Sequence, residues 1–281
     1  MFVVGIYGGL ASQMNQYAFL RVLQKRFPNV EIRMAIAGSW RKYMEHNGYE
    51  LDRVFGIEQC GVDWKTLRRL ANFYPGTGLK AKFFNAMFQI KDRLWGPKQS
   101  QITLPTSSIP DWSVFNLDER RDILFWSNYA MGYFDDIATE LHEVFTFKPK
   151  LKGSNAELMS RIITENSVSI HVRRGDYIKY GYPILGIDYY KDAVEKIRAQ
   201  VSNPCFYVFS DDPQWCVDNF KFIDDGVFVT WNQGVDSYVD LQLMSSCKHN
   251  ILANSGYSLF AEWLNTNPAK VVIRPNIWPI V

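Results

Sequence analysis

The sequence has no long apolar run, almost no net charge and few cysteines. No stretch approaches the roughly 18 uninterrupted apolar residues expected of a membrane-spanning helix, and the amino terminus lacks the positive leader and apolar run of a secretion signal. The 31 lysine and arginine residues nearly cancel the 29 aspartate and glutamate residues, which leaves a formal charge of +2. This balance argues against binding nucleic acid through the overall field. We therefore expect a cytoplasmic protein without a nucleic-acid partner.

The cysteines are too few and too scattered for a structural framework. Cys60, Cys205, Cys216 and Cys247 form no CxxC pair, so neither a disulfide framework nor a zinc site is expected. We expect them to be reduced and partly buried in the core.

What the sequence does contain is the composition and alternation of a folded α/β protein. Its 281 residues are 47% hydrophobic and 21% charged, enough for one large domain or two ordinary ones. An apolar run at 2–7 is followed by a glycine-rich turn and by apolar residues at helical spacing over 12–27, with Ser12 as a suitable N-cap. A second apolar run at 30–36 completes a strand–helix–strand unit, which predicts a parallel sheet.

The middle of the chain is less regular, and its segment at residues 80–95 allows two interpretations. The segment predicts a helix that carries apolar and aromatic residues among basic ones. Such a helix could lie on a membrane surface, as a peripheral contact at the inner face. It could also cover a core while its lysine stems run along the apolar surface, and this second interpretation is favoured.

The second half alternates strictly between strands and helices. Residues 147–154 resemble a linker, which divides the chain into domains at 1–150 and 151–281. Strands are predicted at 168–172, 205–210, 227–231, 250–253 and 271–274, and helices at 155–166, 188–200 (with Asp188 as N-cap), 213–220, 236–246 and 255–265. This alternation is typical of a doubly wound nucleotide-binding domain.

The strand at 168–172 ends in two adjacent arginines. Alternation puts its three apolar residues on one face, with His171 and Arg173 on the other. The forked guanidinium groups of Arg173 and Arg174 suit a diphosphate, and Asp176 could orient an arginine or take a proton. A solvated surface turn would explain the same residues equally well.

Two further strands also end in polar residues, at the sheet edge where open α/β sheets bind ligands. Asp211 and Asp212 follow one strand, where a carboxylate could accept hydrogen bonds from guanine, the pair could bind a metal, or one aspartate could cap the next helix. Asn254 and Ser255 follow another strand, where a helix start offers N–H groups to an anion or is simply capped. Together with the arginines, these residues supply what a nucleoside diphosphate leaving group requires.

These segments resemble the motifs of glycosyltransferase family 11, the α-1,2-fucosyltransferases, many of them bacterial. Residues 171–176 (HVRRGD) are similar to its HxRRxD motif, and residues 209–213 (FSDDP) and 240–255 are similar to two further blocks. Residues 8–14 (GGLASQM) resemble its amino-terminal GGLGNQM pattern.

The resemblance implies an α/β fold of the GT-B-like type, with two Rossmann-like halves and a cleft between them. The first domain would be the acceptor side and the second would bind GDP-fucose. It also implies inverting transfer of L-fucose from GDP-fucose to the 2-hydroxyl of a glycan, without a metal or other cofactor. A terminal β-galactose is the expected acceptor residue, in a free oligosaccharide or a lipid-linked glycan such as an O-antigen unit.

The resemblance also assigns roles within the second domain. Arg173 and Arg174 would bind the diphosphate and stabilise the charge that grows on it, with Arg174 on the β-phosphate. Asp211, or alternatively Asp212, would recognise guanine, and Ser255 would touch phosphate. His171 and Asn254 complete the predicted donor-binding set, and Asp176 is the candidate general base.

In the first domain, Gly9, Ser12 and Gln13 would form the loop that faces fucose or the acceptor. Here Ala11 and Ser12 replace the Gly-Asn of the family pattern. This departure concerns the acceptor or the linkage. It also motivates two alternatives, a fucosyltransferase of different linkage and an inactive sugar-binding or scaffold protein of the same fold.

Two alternatives come from other chemistry. The turn at Gly8 and Gly9 suggests a dinucleotide-dependent oxidoreductase, but Glu31 precedes the second strand instead of following it, and the loop lacks a GxGxxG pattern. A metal-dependent transferase built on Asp211 and Asp212 would lose activity with a chelator, whereas metal-independent transfer would not.

Overall fold

The structure, a computed structural model, describes residues 1–36, 46–71, 78–95, 101–103, 117, 119–126 and 134–278. The chain forms two compact units, Met1–Lys148 and Pro149–Ile280. Each unit is built around its own parallel β-sheet.

The first unit contains a four-stranded sheet with the order β2-β1-β4-β3. Its strands are β1 (Phe2–Ile6), β2 (Ile32–Ile36), β3 (Gln101–Thr103) and β4 (Ile123–Trp126). All three strand pairs are parallel. The apolar run at the amino terminus forms β1, which is buried on both faces, as expected for a strand of a covered parallel sheet.

Five helices accompany this sheet within the described residues. They are α1 (Leu10–Arg26), α2 (Leu51–Phe55), α3 (Trp64–Ala71), α4 (Leu79–Trp95) and α5 (Ala138–Val144). One core cluster of the unit joins Val3, Ala35 and Leu124 of the sheet to Leu67 and Leu70 of α3.

The second unit contains a five-stranded sheet with the order β7-β6-β5-β8-β9. Its strands, all parallel, are β5 (Asn166–Val172), β6 (Pro204–Ser210), β7 (Val227–Val229), β8 (His249–Ile251) and β9 (Val272–Ile273). The chain winds outward from β5 through β6 to β7, then returns to the other side of β5 as β8. The order therefore reverses between β5 and β8, which is where open α/β sheets bind their ligands.

The helices of the second unit cover this sheet. They are α6 (Ser154–Thr164), α7 (Gly175–Tyr180), α8 (Ile187–Arg198), α9 (Pro213–Asn219), α10 (Tyr238–Ser246) and α11 (Gly256–Leu264). Val168, Ile170 and Val172 of β5 lie together in the main core cluster, which confirms the alternation predicted for this strand. The predicted α/β class with parallel sheets is likewise confirmed.

Two predicted helix starts are wrong. Helix α1 begins at Leu10 with Gly9 as its N-cap, so Ser12 lies inside the first turn. Helix α8 begins at Ile187 with Gly186 as its N-cap, so Asp188 also lies in the first turn. In both cases a glycine with extended backbone takes the N-cap position, and the polar side chain stands two or three residues further along.

The interpretation favoured for the segment at 80–95 is wrong for one face of the helix. The segment is helical, as α4, and Phe84 and Phe88 are half-buried, but most of its other large apolar side chains do not cover a core. Phe83 is 66% exposed and Leu94 is 65% exposed. None of the helices in the described ranges is long and apolar enough to cross a bilayer.

The cysteines are free thiols, as expected, but they differ in burial. Cys216 and Cys247 are buried, Cys205 is half-buried, and Cys60 is exposed instead of partly buried. Burial raises the pKa of the Cys216 thiol to about 12, so this side chain behaves as a small apolar residue.

Candidate functional site

Three loops meet at the point where the strand order of the second sheet reverses. The loops follow β5, β6 and β8, and β5 lies between the other two strands in parallel register. Carboxyl ends of adjacent parallel strands share one edge, so the residues that follow them are brought together. The sequence predicted this edge as the donor site.

Arg173 is the first residue after β5 and is held by two carboxylates. Its Nη2 donates to Asp176 Oδ2 at 2.7 Å, and its Nε lies 3.2 Å from Asp211 Oδ2. Burial would lower the pKa of Arg173, but the Asp211 and Asp176 carboxylates outweigh burial and raise the pKa above its usual value. Arg173 is therefore a fixed, permanently charged group.

Arg174 is held by a carboxylate on one side and an indole ring on its face. Its Nε donates to Asp212 Oδ2 at 3.1 Å, and its guanidinium carbon lies 3.8 Å from the ring centre of Trp215. The contacts described for this side chain use its face and its Nε–H. Four terminal N–H bonds of the guanidinium therefore remain for an anion.

Asp211 and Asp212 both brace the arginine loop. Asp211 Oδ1 accepts from the backbone N–H of Arg174 at 2.9 Å. Asp212 is the N-cap of α9 and accepts from Trp215 N at 3.4 Å, so the capping role considered from sequence is realised. Recognition of guanine by either carboxylate stays a prediction, and it would have to use lone pairs that the arginines leave open.

The two arginines do not make the site positively charged overall, because carboxylates outnumber them. Two guanidinium groups face the three carboxylates of Asp176, Asp211 and Asp212. Attraction for a diphosphate therefore depends on directed N–H groups, not on an excess of positive charge. The carboxylates hold the guanidinium forks in position before any ligand arrives, which is the preorganisation that charge stabilisation in a transition state needs.

Gly175 allows the two loops to approach closely. A Cβ atom at this position would stand 3.0 Å from Asp211 Oδ2, tighter than nine in ten real Cβ contacts. A side chain here would push on the carboxylate that accepts from Arg174.

His171 lies beneath the site and links β5 to α11. It is 4% exposed, and its Nδ1 lies 2.5 Å from Ser258 Oγ. Burial, aided by the charge of Arg173, lowers the pKa of His171 to about 3, so the ring is neutral at physiological pH. This placement is that of a positioning residue, and direct contact with the donor stays a prediction.

The loop after β8 leads into the start of α11. Asn254 is fully buried; its backbone carbonyl accepts from Tyr177 Oη and its Nδ2 donates to Pro183 O, both at 2.8 Å. Ser255 is the N-cap of α11, and its Oγ accepts from Tyr257 N at 3.3 Å. The first-turn N–H groups of α11 therefore lie at the same sheet edge as the arginines, where the helix dipole favours an anion.

The predicted acceptor-side loop is held by one amide side chain in the first unit. Gln13 is 2% exposed, and its Nε2 donates to Gly8 O at 2.9 Å and to Gly48 O at 2.7 Å. Its Oε1 accepts from Glu50 N at 2.9 Å. Both N–H bonds of the amide are thus in use, so the geometry makes Gln13 a clamp between two loops.

Gly9 and Ser12 shape the same loop. Gly9 O accepts from Gln13 N at 3.0 Å in the first turn of α1. Gly8 has a φ of +77°, and a Cβ there would stand 3.0 Å from Ser12 Oγ, so both its conformation and its surroundings require glycine. Contact of Gly9 or Ser12 with a sugar stays a prediction.

Sequence reasoning missed three residues of the donor site. Trp215 stacks on Arg174, Tyr177 lies with its ring centre 5.7 Å from the Arg173 guanidinium carbon, and Ser258 pairs with His171. A usable signal existed for Trp215, because the third residue after an aspartate N-cap turns back beside that cap. Within the described residues, no group of three His, Cys, Asp or Glu side chains is arranged to hold a metal ion.

Similarity to known proteins extends along nearly the whole chain. The sequence profile of Glycosyl transferase family 11 matches residues 120–279. The chain is 36% identical to the O-antigen biosynthesis glycosyltransferase WbnK of Escherichia coli, over 96% of this chain and 92% of that protein. It is 28% identical to an alpha-1,2-colitosyltransferase of Escherichia coli, over 98% and 91% of the two chains.

A solved structure shares the fold at low identity. The NodZ alpha-1,6-fucosyltransferase soaked with GDP-fucose aligns with a TM-score of 0.53 and 12% identity, over 94% of this chain and 91% of that chain. This likeness shows the fold, which is of the GT-B type predicted. Because the family profile spans more than half of the 281 residues and the similarity to WbnK spans nearly all of them, the chain is a glycosyltransferase that belongs to glycosyltransferase family 11.

Proposed function

We propose that this protein transfers L-fucose from GDP-fucose to the 2-hydroxyl of a terminal β-galactose in a glycan, with inversion and without a metal. The observation that carries the proposal is the pair Arg173 and Arg174 at the strand-order reversal, braced by carboxylates and adjacent to the start of α11. That arrangement offers directed N–H groups to a pyrophosphate.

In the proposed step, the acceptor oxygen bonds to the anomeric carbon of fucose while the bond from that carbon to the β-phosphate oxygen breaks. The electron pair of the breaking bond leaves with GDP, and the hydroxyl proton passes to a base. Negative charge grows on the β-phosphate, where the terminal N–H bonds of Arg174 would stabilise it. Attack from the face opposite GDP inverts the anomeric configuration.

Asp176 is the proposed general base. Its Oδ2 accepts from Arg173, while no donor among the described residues reaches its buried Oδ1. For this oxygen to take the proton, it would have to become accessible to the acceptor hydroxyl. The ion pair with Arg173 would fix its orientation.

Metal independence is supported by how the acidic residues are used. Asp211 and Asp212 would be the ligands of a metal-bound diphosphate, but both carboxylates contact guanidinium groups. The permanent charge of those groups can replace that of a divalent ion.

The acceptor and the setting are proposed from the relatives. WbnK is named for O-antigen biosynthesis, and a 28% identical relative is an alpha-1,2-transferase of colitose. We therefore propose that the protein acts in the cytoplasm, on a glycan of the O-antigen kind. A colitose donor is the second candidate, and the name of this relative is the reason for it.

The direct test incubates the purified protein with GDP-fucose and a panel of β-galactosides, measures GDP release and determines the product by NMR. The expected product carries fucose in inverted configuration on the 2-hydroxyl, and a chelator leaves the rate unchanged. A parallel GDP-colitose arm separates the two donors. A different linkage or a chelator-sensitive rate would refute the corresponding part of the proposal. Donor binding without GDP release for any acceptor would favour an inactive sugar-binding protein.

A further inference from the structure

Helix α4 presents an apolar stripe to solvent. Its large apolar residues recur every three or four positions, which places them within an arc of about 80° on a helix of 100° per residue. These residues are strongly exposed: Leu79 87%, Phe83 66%, Met87 45%, Ile90 60% and Leu94 65%. A contiguous exposed apolar stripe of this kind marks an interaction surface.

Basic residues lie on both flanks of the stripe. At 100° per residue, Lys80 and Lys91 fall on one side of it, and Lys82 and Arg93 fall on the other. The 17-residue helix carries these four basic residues and one acidic residue, which leaves a formal charge of +3. Long basic side chains beside an apolar stripe can extend to the level of phosphate headgroups while their stems stay on the apolar surface.

The side of α4 roughly opposite the stripe is the more buried one. Phe84, Asn85 and Phe88 are half-buried, and the rings of Phe84 and Phe88 lie 6.5 Å apart. The helix therefore packs on its unit through the side opposite the stripe, which leaves the stripe exposed to solvent. Trp95, which is 76% exposed at the end of the helix, falls on this same side and is not part of the stripe.

We propose that α4 binds the surface of an anionic phospholipid membrane, lying parallel to it with the apolar stripe inserted at the headgroup boundary. The charge pattern selects this occupant. A second copy of the chain would bring another +3 helix against the stripe and would be repelled, whereas an anionic headgroup layer attracts both flanks. At about 25 Å the helix is long enough to lie along the surface.

The test is flotation of the full-length protein with vesicles of phosphatidylcholine alone or with 30% phosphatidylglycerol. The wild type is expected to float with the anionic vesicles and to stay behind with the neutral ones. Replacing the four flanking basic residues by glutamine should lower partitioning at least 100-fold, since each basic residue near an anionic surface is worth about five-fold. The double variant Phe83→Ser and Ile90→Ser should also lose binding.

A matched control removes the same charge elsewhere. Lys150, Lys152, Lys191 and Lys196 are exposed lysines of the second unit, and their quadruple glutamine variant should keep most of the vesicle binding. Ile163, 60% exposed on α6, serves as the apolar control as Ile163→Ser. Equal losses in the control and α4 variants would overturn the proposal, because binding would then follow net charge alone.

Two further outcomes would also overturn it. One is failure of the wild type to float with anionic vesicles. The other is a dimer, found by analytical ultracentrifugation, that Phe83→Ser abolishes without any lipid binding, which would make the stripe an interface between copies. Retained GDP binding and an unchanged thermal transition show that each variant is folded. Since vesicle binding is measured without transfer, its failure is distinguishable from failure of the proposed reaction.

Discussion

The loops that follow the first strand of each sheet are stabilised in different ways. The loop after β1 is held by neutral hydrogen bonds, with Gln13 joining Gly8 to Gly48. The loop after β5 is held by charges, with Arg173 and Arg174 set against three carboxylates. A neutral loop suits sugar hydroxyls, whereas fixed guanidinium groups suit a pyrophosphate whose charge increases during the reaction. The contrast is consistent with the proposal that the first unit binds the acceptor and the second unit binds the donor.

The strongest test of the contrast is Arg174→Lys. An ammonium group cannot reproduce the planar fork or its stacking on Trp215, so we expect turnover of GDP-fucose to fall about 10²- to 10³-fold. Stopped assays of GDP release measure the rate, and calorimetry measures GDP affinity. Arg198→Lys is the control, since Arg198 also lies over an aromatic ring, that of Phe206, but on α8. Near-normal turnover by Arg174→Lys would refute the proposed role of the loop after β5, here called the charge-held loop, in stabilising the leaving group.

The neutral loop is tested by Gln13→Leu. The substitution removes three hydrogen bonds, to Gly8, Gly48 and Glu50, so we expect the free energy of unfolding of the first unit to fall by roughly 3 kcal/mol. Denaturant titration measures this loss, and GDP affinity should not change, because the proposed contacts with GDP lie in the second unit. Gln24→Leu, at an exposed position of α1, is the control. A loss of GDP affinity equal to that of Arg174→Lys would contradict the division of roles.

The sequence predicted the strands that lead into these two loops better than the contacts that hold the loops. The strands before them were predicted well, because the apolar run of β1 and the alternation of β-branched residues in β5 are strong local signals. The Gln13 clamp was not, since its partners Gly48 and Glu50 are distant in sequence. The carboxylates that hold Arg174 were placed at the correct sheet edge, but their pairing depends on loop conformation, which spacing does not encode.

Among the described residues, each unit also buries one carboxylate, and the charges of these two carboxylates are compensated differently. Glu50 accepts from Arg53 at 3.0 Å, whereas Asp240 in α10 accepts from the neutral amide of Asn232 at 2.8 Å. Burial raises the pKa of Asp240 to about 8 and outweighs the hydrogen bond from Asn232, which lowers the pKa. The folded protein therefore keeps a proton that the unfolded chain loses, so the free energy of unfolding falls as pH rises from about 4 to about 8.

Asp240→Asn should remove that dependence. Between about pH 4 and pH 8, we expect the free energy of unfolding of the wild type to fall more steeply than that of the variant, by about 1.4 kcal/mol per pH unit. The variant should therefore be the more stable protein at neutral pH. Urea titrations at several pH values measure both slopes, with the exposed Asp236→Asn as control. Parallel slopes for Asp240→Asn and wild type would show that the buried acid is ionised.

Substitutions at Trp215 test the position of the Arg174 guanidinium group while its charge is kept. The Trp215 ring centre lies 3.8 Å from the guanidinium carbon, so Trp215→Leu should reduce turnover about ten-fold through loss of the cation–π contact. Trp215→Phe keeps a ring and should recover part of the rate. Trp231→Leu, at a half-exposed indole of the same unit, is the control. If the leucine and phenylalanine variants have the same rate, the stacking has no positioning role.

The smallest expected effect tests how closely the charge-held loop is packed. In Gly175→Ala the new Cβ would stand 3.0 Å from Asp211 Oδ2, so the carboxylate that accepts from the Arg174 backbone must shift by a few tenths of an ångström. We expect GDP affinity to weaken only a few-fold, because the shift weakens one charge-assisted hydrogen bond without breaking it. Gly186→Ala is the matched control for Gly175→Ala. Neither glycine has a positive φ, and a Cβ at position 186 would meet nothing within 4 Å. Equal affinity in the two variants would mean that Asp211 can shift without disturbing the arginines. The loop after β5 would then owe its geometry to Asp176, Asp212 and Trp215.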